Sequence, residues 1–490
     1  MIGKTKYILI LLFAIIIADV SAQDSQILYF MNLPQNHLLN PALRPSNSLY
    51  IGLPALSGIN LNINNNFVNF SDVFMKDQPK DSIISFLHPD YNVDKFLAKI
   101  KDRNFIEPES IVQLFGLGFA VGKDSYIFLD INEHIDGNIV LPGDLFKLVL
   151  KGNEGFVGSK IDLSSLRGDI KYYREVGVGF SRNFTDKLRI GIKGKLLFGI
   201  ADASIDNKSL GITVNDDYSH TFDANMAVNL SGPVNVSMDS KHNITDIVFD
   251  DSRFKTASGI SDFFSGKKNL GLGLDIGATY DLIDRIVVSA SVTDLGFIRW
   301  NKDITNLTAK NQFEFSGLNM LDVINGTKTI GEVGQDMLDS LKNAFVVSNS
   351  KKPFTTWLPF GVTLGGSYSV TEQFSVGLLS YTRIIGKQVR EALTLSANLN
   401  LGNAFSTSLS YTAENHHYDN IGAGLAFRAG IVQFYLASDR IPIMWNKIKN
   451  DNSTIVIPAN WNTVNLRLGM NLVFGNRVKK KNDKPMVLVE

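Results

Sequence analysis

From Thr463 to Phe474 the side chains alternate. Val464, Leu466, Leu468, Met470, Leu472 and Phe474 fall on one side, and Thr463, Asn465, Arg467, Gly469 and Asn471 on the other. Successive residues of an extended chain point to opposite faces of a sheet, so this segment is a strand with one apolar and one polar surface. The same period recurs. Leu270, Leu272, Leu274, Ile276, Ala278 and Tyr280 oppose Gly271, Gly273, Asp275, Gly277 and Thr279; Leu393, Leu395, Ala397, Leu399 and Leu401 oppose Thr394, Ser396, Asn398 and Asn400. A sheet that is apolar on one face and wet on the other closes into a barrel with lipid outside and water inside.

The N-terminus sets the compartment. Lys4 and Lys6 precede an apolar run from Tyr7 to Ala18, and Val20-Ser21-Ala22 supplies the small residues of a cleavage site, so residues 1–22 read as a secretory leader. The run is shorter than the ~20 residues that a spanning helix needs, and no other segment qualifies as one. A membrane location then means strands, in the outer membrane of a Gram-negative cell. The lack of cysteine removes disulfides and thiolate ligands. With 48 acidic and 48 basic residues, no net field favours nucleic acid.

Strand signals run over 57–66, 113–122, 125–133, 174–183, 188–201, 269–281, 285–294, 359–369, 373–384, 390–401, 404–413, 419–428, 431–439 and 462–475. Tight and long connections alternate between them, save that 385–389 and 414–418 are short on the long-loop side, which puts the tight turns and both termini on one rim and the long loops on the other, as in outer-membrane barrels. The expected fold is all-β, a transmembrane antiparallel barrel of about 14 strands with an N-terminal plug segment and long extracellular loops carrying short helices. The expected organisation is a leader over 1–22, a hatch over 23–56, a barrel over 57–475 and a basic periplasmic tail over 476–490 that includes Lys479, Lys480 and Lys481. Helical spacing marks Val93, Phe96, Leu97 and Ile100 in one loop and Met337, Leu338, Leu341 and Phe345 in another. Residues 202–268 read as hairpins projecting outward, with the alternative that part of them joins the wall.

Trp300, Trp357, Trp445 and Trp461 all flank strand ends on the long-loop rim and are expected to form part of an interfacial girdle, where an apolar ring with a polar N–H is favoured. On the predicted register Arg189, Lys193, Lys195, Asp275, Arg428, Asp439 and Arg467 face the lumen, where their expected role is to pair with one another and with the hatch rather than to filter ions.

Catalytic and metal signals are weak. Asp130-Ile131-Asn132-Glu133-His134-Ile135-Asp136-Gly137 hints at a calcium loop but lacks the closing Glu, so it reads as a solvated loop. His416 and His417 are adjacent and point apart, so with Glu414 and Asp419 they read as surface residues rather than a metal site. Gly271-Leu272-Gly273 has no following helix for a dinucleotide, and no Gly-x-Ser-x-Gly elbow occurs. No enzymatic activity, cofactor or metal is expected.

Between leader and first strand lies Leu38-Leu39-Asn40-Pro41-Ala42-Leu43-Arg44-Pro45, non-periodic and twice interrupted by proline, hence not wall. With this segment and the barrel pattern, the sequence resembles the long-chain fatty-acid transporter superfamily, which includes the shuttle barrels of type IX secretion, and especially an uncharacterised outer-membrane branch with an Asn-Pro-Ala segment after its leader. The resemblance implies a fourteen-stranded barrel in which Asn40, Pro41 and Ala42 lie in an N-terminal hatch. It implies passive uptake of small hydrophobic ligands, which Phe-rich loops such as those around Phe254, Phe263 and Phe264 would favour. The alternative is a non-conducting scaffold or secretion-associated barrel. The partners so implied are outer-membrane lipid, a small hydrophobic ligand and, on the alternative, a periplasmic or surface protein.

Overall fold

The computed structural model describes residues 26–77, 82–85, 91–217, 219–238, 244–315, 347–414, 417–450, 453–458 and 462–475. The leader, the basic tail, Trp461, His416 and the helical pattern at Met337, Leu338, Leu341 and Phe345 lie outside them.

Fourteen strands close the wall. They are β1 in two pieces (Leu49–Gly52 and Ile59–Asn65), β2 (Arg103–Val121), β3 (Ser125–Pro142), β4 (Arg167–Asn183), β5 (Leu188–Val214), β6 (Leu270–Ile283) and β7 (Ile286–Trp300). Next come β8 in two pieces (Phe354–Trp357 and Phe360–Ser369), β9 (Phe374–Ile385), β10 (Gln388–Leu401), β11 (Phe405–Glu414), β12 (His417–Ala429), β13 (Val432–Ser438) and β14 (Thr463–Phe474). Each pairs antiparallel with its neighbour, and β14 pairs with both β13 and β1, so the sheet is a closed ring without an edge. The alternation works as the sequence implies. On β14, Thr463, Asn465, Arg467 and Asn471 are buried inward while Leu468 is exposed; on β6, Asp275 and Thr279 are buried while Leu270, Leu272, Ile276 and Tyr280 are exposed.

The sequence-based expectations are revised at four points. First, the wall begins at Leu49 rather than 57, because Leu49–Gly52 already pairs with β2 and β14. Residues 53–58, with Pro54 and the left-handed Ala55, then leave the ladder before it resumes at Ile59. Second, β2 to β5 run well beyond the apolar alternation, and β3 passes straight through Asp130–Gly137, which is wall and not loop. Third, the outer half of β5 pairs with a strand at His220–Ser231, which pairs in turn with Ile304–Phe315. This sheet stands above the barrel and adds no wall strand. Fourth, Trp300 is not a girdle residue: it is fully buried, donates from Nε1 to Thr356 Oγ1 at 2.8 Å and packs with Tyr173, Leu197, Ile298 and Leu358.

The reason for Trp300 is a β-bulge. Leu274 faces Leu295 and Ile276 faces Val292, so Asp275 alone opposes Thr293 and Asp294. The extra residue inverts parity. Ser289, Ser291 and Thr293 point inward below the bulge, and Ile298 and Trp300 above it. Trp357 and Trp445 are 72% and 51% exposed, the latter on a small hairpin (Trp445–Asn450 with Ser453–Pro458) that stands apart from the wall.

Short helices occupy the connections: α1 (Phe70–Val73), α2 (Val93–Leu97), α3 (Gly143–Lys151) and α4 (Ala257–Ser265). Phe96 of α2 meets Phe146 of α3 at 6.3 Å, and Leu145 and Leu148 of α3 pack on Ile161, Ile212, Val214 and Phe222 of the projecting sheet.

Candidate functional site

The bore is filled by the chain's own N-terminal segment. Residues 26–47 form two 3-10 turns (Gln26–Phe30 and Pro34–Leu38), lie almost wholly buried and lead at their C-terminal end to the rim where β1 starts. Three prolines, Pro34, Pro41 and Pro45, and the lack of alternation keep this stretch out of the sheet, so its main-chain groups must find other partners. Ile27 N donates to Asp439 Oδ1 at 2.8 Å, Gln35 Nε2 donates to Asn471 Oδ1 at 2.8 Å, and Ser291 Oγ donates to the Leu39 carbonyl at 2.7 Å. Ile27, Leu28, Tyr29, Phe30, Met31, Leu33, Leu39 and Leu43 form an apolar cluster inside the barrel with Leu379, Ala426, Tyr435 and Ala437 of the wall.

Asn40, Pro41 and Ala42 sit against β5, β6 and β7. Asn40 Oδ1 accepts from Ala42 N at 2.8 Å, which folds the motif into a tight Asx turn. Asn40 Nδ2 reaches the carbonyls of Ala278 and Ala290 at 3.4 and 3.3 Å. The turn comes this close because the wall is bare beneath it: a Cβ on Gly277 would lie 2.1 Å from Asn40 Oδ1, and one on Gly191 would lie 2.2 Å from Pro41 C. Arg44 then leads back to the rim, donating from Nε to Ser181 Oγ and from Nη2 to the Asp124 carbonyl, both at 2.7 Å.

A buried chain of charges joins this segment to the wall. His37 Nε2 meets Asp130 Oδ2 at 2.7 Å, and Lys193 Nζ lies 3.2 Å from that same oxygen and 2.7 Å from Glu175 Oε1. Lys195 Nζ continues to Glu175 at 3.5 Å, Asp275 at 2.8 Å and Asp294 at 2.5 Å. Asp294 is the bulge residue. It holds φ +63, rare for a residue with a side chain, and its N–H donates to Asp275 Oδ1 at 2.7 Å. The same carboxylate that receives Lys195 therefore pins the bulge.

Thus Lys193, Lys195 and Asp275 come together. Asp439 holds the start of the filling segment instead. Arg189 and Arg428 stand near the tight-turn rim: Arg189 Nε donates to Asn183 Oδ1 at 2.9 Å, and Arg428 donates to the carbonyls of Gly430 and Val473 at 2.9 and 3.3 Å. His37, Asp130, Glu175 and Asp294 complete the chain, and sequence reasoning missed all four. For Asp130 the sequence does carry a signal: Asp130, Asn132 and Asp136 keep one parity.

Above the segment lies an open cavity bounded below by Leu38 and Leu39. Its walls include Glu109, Asp136, Arg383, Tyr173, Tyr381 and Arg467. Arg383 is paired, with Asp136 at 2.5 Å and Glu109 at 3.4 Å. Arg467 is only 4% exposed, and its Nε and Nη1 have no hydrogen-bond partner among the described residues. A buried guanidinium so placed offers two donors to an acidic group.

A family model described as "Family of unknown function (DUF5723)" matches residues 41–439. No curated protein matches the chain. Among solved structures, similar chains include the Ralstonia pickettii toluene transporter TbuX (9% identity, 90% of this chain and 94% of that one, TM-score 0.38). Others are a TodX mutant monoaromatic hydrocarbon channel (11%, 94% and 98%, 0.41) and a Pseudomonas aeruginosa FadL homologue (10%, 93% and 100%, 0.39). At these scores the architecture rests on the strand pairing itself.

Proposed function

The chain belongs to the family of unknown function DUF5723, whose description assigns no activity, and from the geometry of the bore we propose that it is an outer-membrane transporter for small ligands with an apolar body, kept shut by residues 26–47. One observation carries this reading: the bore is blocked by a segment that is held by side-chain contacts and contributes no strand to the wall, so it can leave without opening the barrel. The wall surface that now receives Ile27 to Leu33 would then receive apolar groups of a ligand, and Arg467 in the cavity above would take an acidic end. The resemblance to fatty-acid transporters points to the same class of cargo.

The experiment is reconstitution in liposomes with and without residues 23–47. The intact protein is expected to be closed to ions. The truncated one is expected to conduct while still migrating as a heat-modifiable barrel, and Arg467→Gln should weaken uptake of an alkyl carboxylate more than that of the matching alcohol. A truncated barrel that stays closed refutes the reading.

A second reading is favoured by the depth of the charge chain at His37, which ties the segment firmly to the wall. On it the protein is a non-conducting scaffold or secretion-associated barrel whose outer loops bind another protein.

A further inference from the structure

On the outside of the barrel the side chains change character at one height. Across β4, β5, β6 and β7 Val176, Leu196, Leu272 and Phe297 face one another in an apolar outward row, with Leu196 and Leu272 exposed. One row further out, Glu133 faces Arg174, Arg174 faces Phe198, and Phe198 faces Leu270 in the strand register. Arg174 Nε donates to Glu133 Oε1 at 2.6 Å. Arg299 follows the Gly271–Ile298 pair on β7 and points outward in the same row. An ion pair and a second arginine at the end of an apolar band mark the plane where hydrocarbon gives way to head groups.

Helix α4 lies on the wall at this plane. Thr256 caps its N-terminus by accepting from Gly259 N, and the left-handed Gly266 ends it directly over Phe198. Ala257, Ile260, Phe263 and Phe264 recur at helical spacing on one face. Phe264 meets Tyr172 at 6.2 Å, Phe263 meets Phe254 at 5.1 Å, and Phe254 stacks on Phe249 at 5.6 Å. Ile260 and Phe249 remain exposed. Nine residues do not hold a helix in water; ion pairs from Arg253 to Asp303 and from Lys302 to Asp262 tie this one down. Those pairs neutralise both carboxylates. Lys267, Lys268 and Arg299 have no carboxylate at ion-pair distance among the described residues, and Asn301 Nδ2 draws the last two together by donating to the carbonyls of Lys268 and Arg299 at 3.3 and 3.4 Å.

We propose that α4 with Lys267, Lys268 and Arg299 is a docking site for a phosphorylated glycolipid of the outer leaflet, its acyl chains against Ile260, Phe263 and Leu270 and its phosphates on the three cations. Continuity with the lipid-facing band identifies the occupant as lipid, and the unpaired cations at the head-group plane select an anionic head.

Two measurements test this on the full chain in nanodiscs of phosphatidylethanolamine with rough lipopolysaccharide. Measured as the difference from a Trp357→Phe parent that keeps the other tryptophans, Phe263→Trp should add the emission of a buried indole that is quenched by lipids brominated near the top of the acyl chain; an added but unquenched indole overturns the proposal. Lys267→Glu with Lys268→Glu should cut the lipopolysaccharide retained per barrel by roughly tenfold or more, with heat-modifiable migration unchanged. Equal retention overturns the phosphate site, and equal retention of phosphatidylglycerol by the parent overturns the assignment to a glycolipid.

Discussion

Replacing Gly277 by Val tests whether the wall itself seats the Asn-Pro-Ala turn. A Cβ at 277 would stand 2.1 Å from Asn40 Oδ1 and 3.0 Å from Pro41 Cδ, well inside ordinary van der Waals contact. The turn must withdraw by about 1 Å or more, an overpacking cost of about 1–3 kcal/mol. Withdrawal also lengthens the Asn40 bonds to Ala278 and Ala290, already 3.4 and 3.3 Å, so little further loss follows from them. Valine favours strands, and the wall ladder at 277 should persist. A shift of ~2 kcal/mol raises the population of the undocked segment roughly 30-fold. Because the chain has no cysteine, Leu43→Cys gives a single buried reporter that shrinks its site rather than crowding it. Where opening and closing outpace modification, the maleimide rate follows the open population, so Gly277→Val should accelerate labelling of Leu43→Cys by about the same roughly 30-fold. Equal labelling rates in the two backgrounds, with barrel migration intact, would refute the seat.

Other perturbations separate the parts of the bore. His37→Ala removes one partner of Asp130, which keeps Lys193 and the Gln113 amide, and should raise the same labelling rate, a hydrogen bond to a charged group being worth about 1.5–3 kcal/mol. Asp294→Ala keeps the left-handed backbone but loses Lys195, whereas Asp294→Gly loses only the ion pair; the alanine variant should have the lower midpoint of heat-modifiable unfolding and the redder Trp300 emission. Trp300→Phe removes the bond to Thr356 and should cost about 0.5–1.5 kcal/mol, while Trp357→Phe, at a largely exposed position, should leave that midpoint unchanged.

Much of the wall was readable from alternation, and the reasons for the misreadings are physical. Period two is visible where one face meets hydrocarbon. Above that band the outward face of β3 and β4 mixes Glu133 and Arg174 with Ile135 and Ile170, so the strands continue without a regular apolar signal. The first piece of β1 is four residues long and is followed by Pro54, too brief for any period to register. Trp300 was misplaced because a single bulge residue inverts every position after it, and nothing local to Asp294 announces a left-handed aspartate. Parity alone places Lys193 and Lys195 in the lumen. Their partners Asp130, Glu175 and Asp294 stand on three other strands, and which carboxylate meets which lysine depends on registers between segments up to about a hundred residues apart.

The two-piece first strand has a consequence for biogenesis. The ring is sealed where β1 zips to β14, and that zipper is interrupted over residues 53–58, so it offers fewer main-chain bonds than an unbroken seam of equal height. The strand that completes the cylinder is also the one tethered to the material that fills it. Insertion machinery that holds this junction apart until last would thus deliver the stopper and shut the wall in one event, and a nascent barrel would pass through no stage in which it is both complete and vacant.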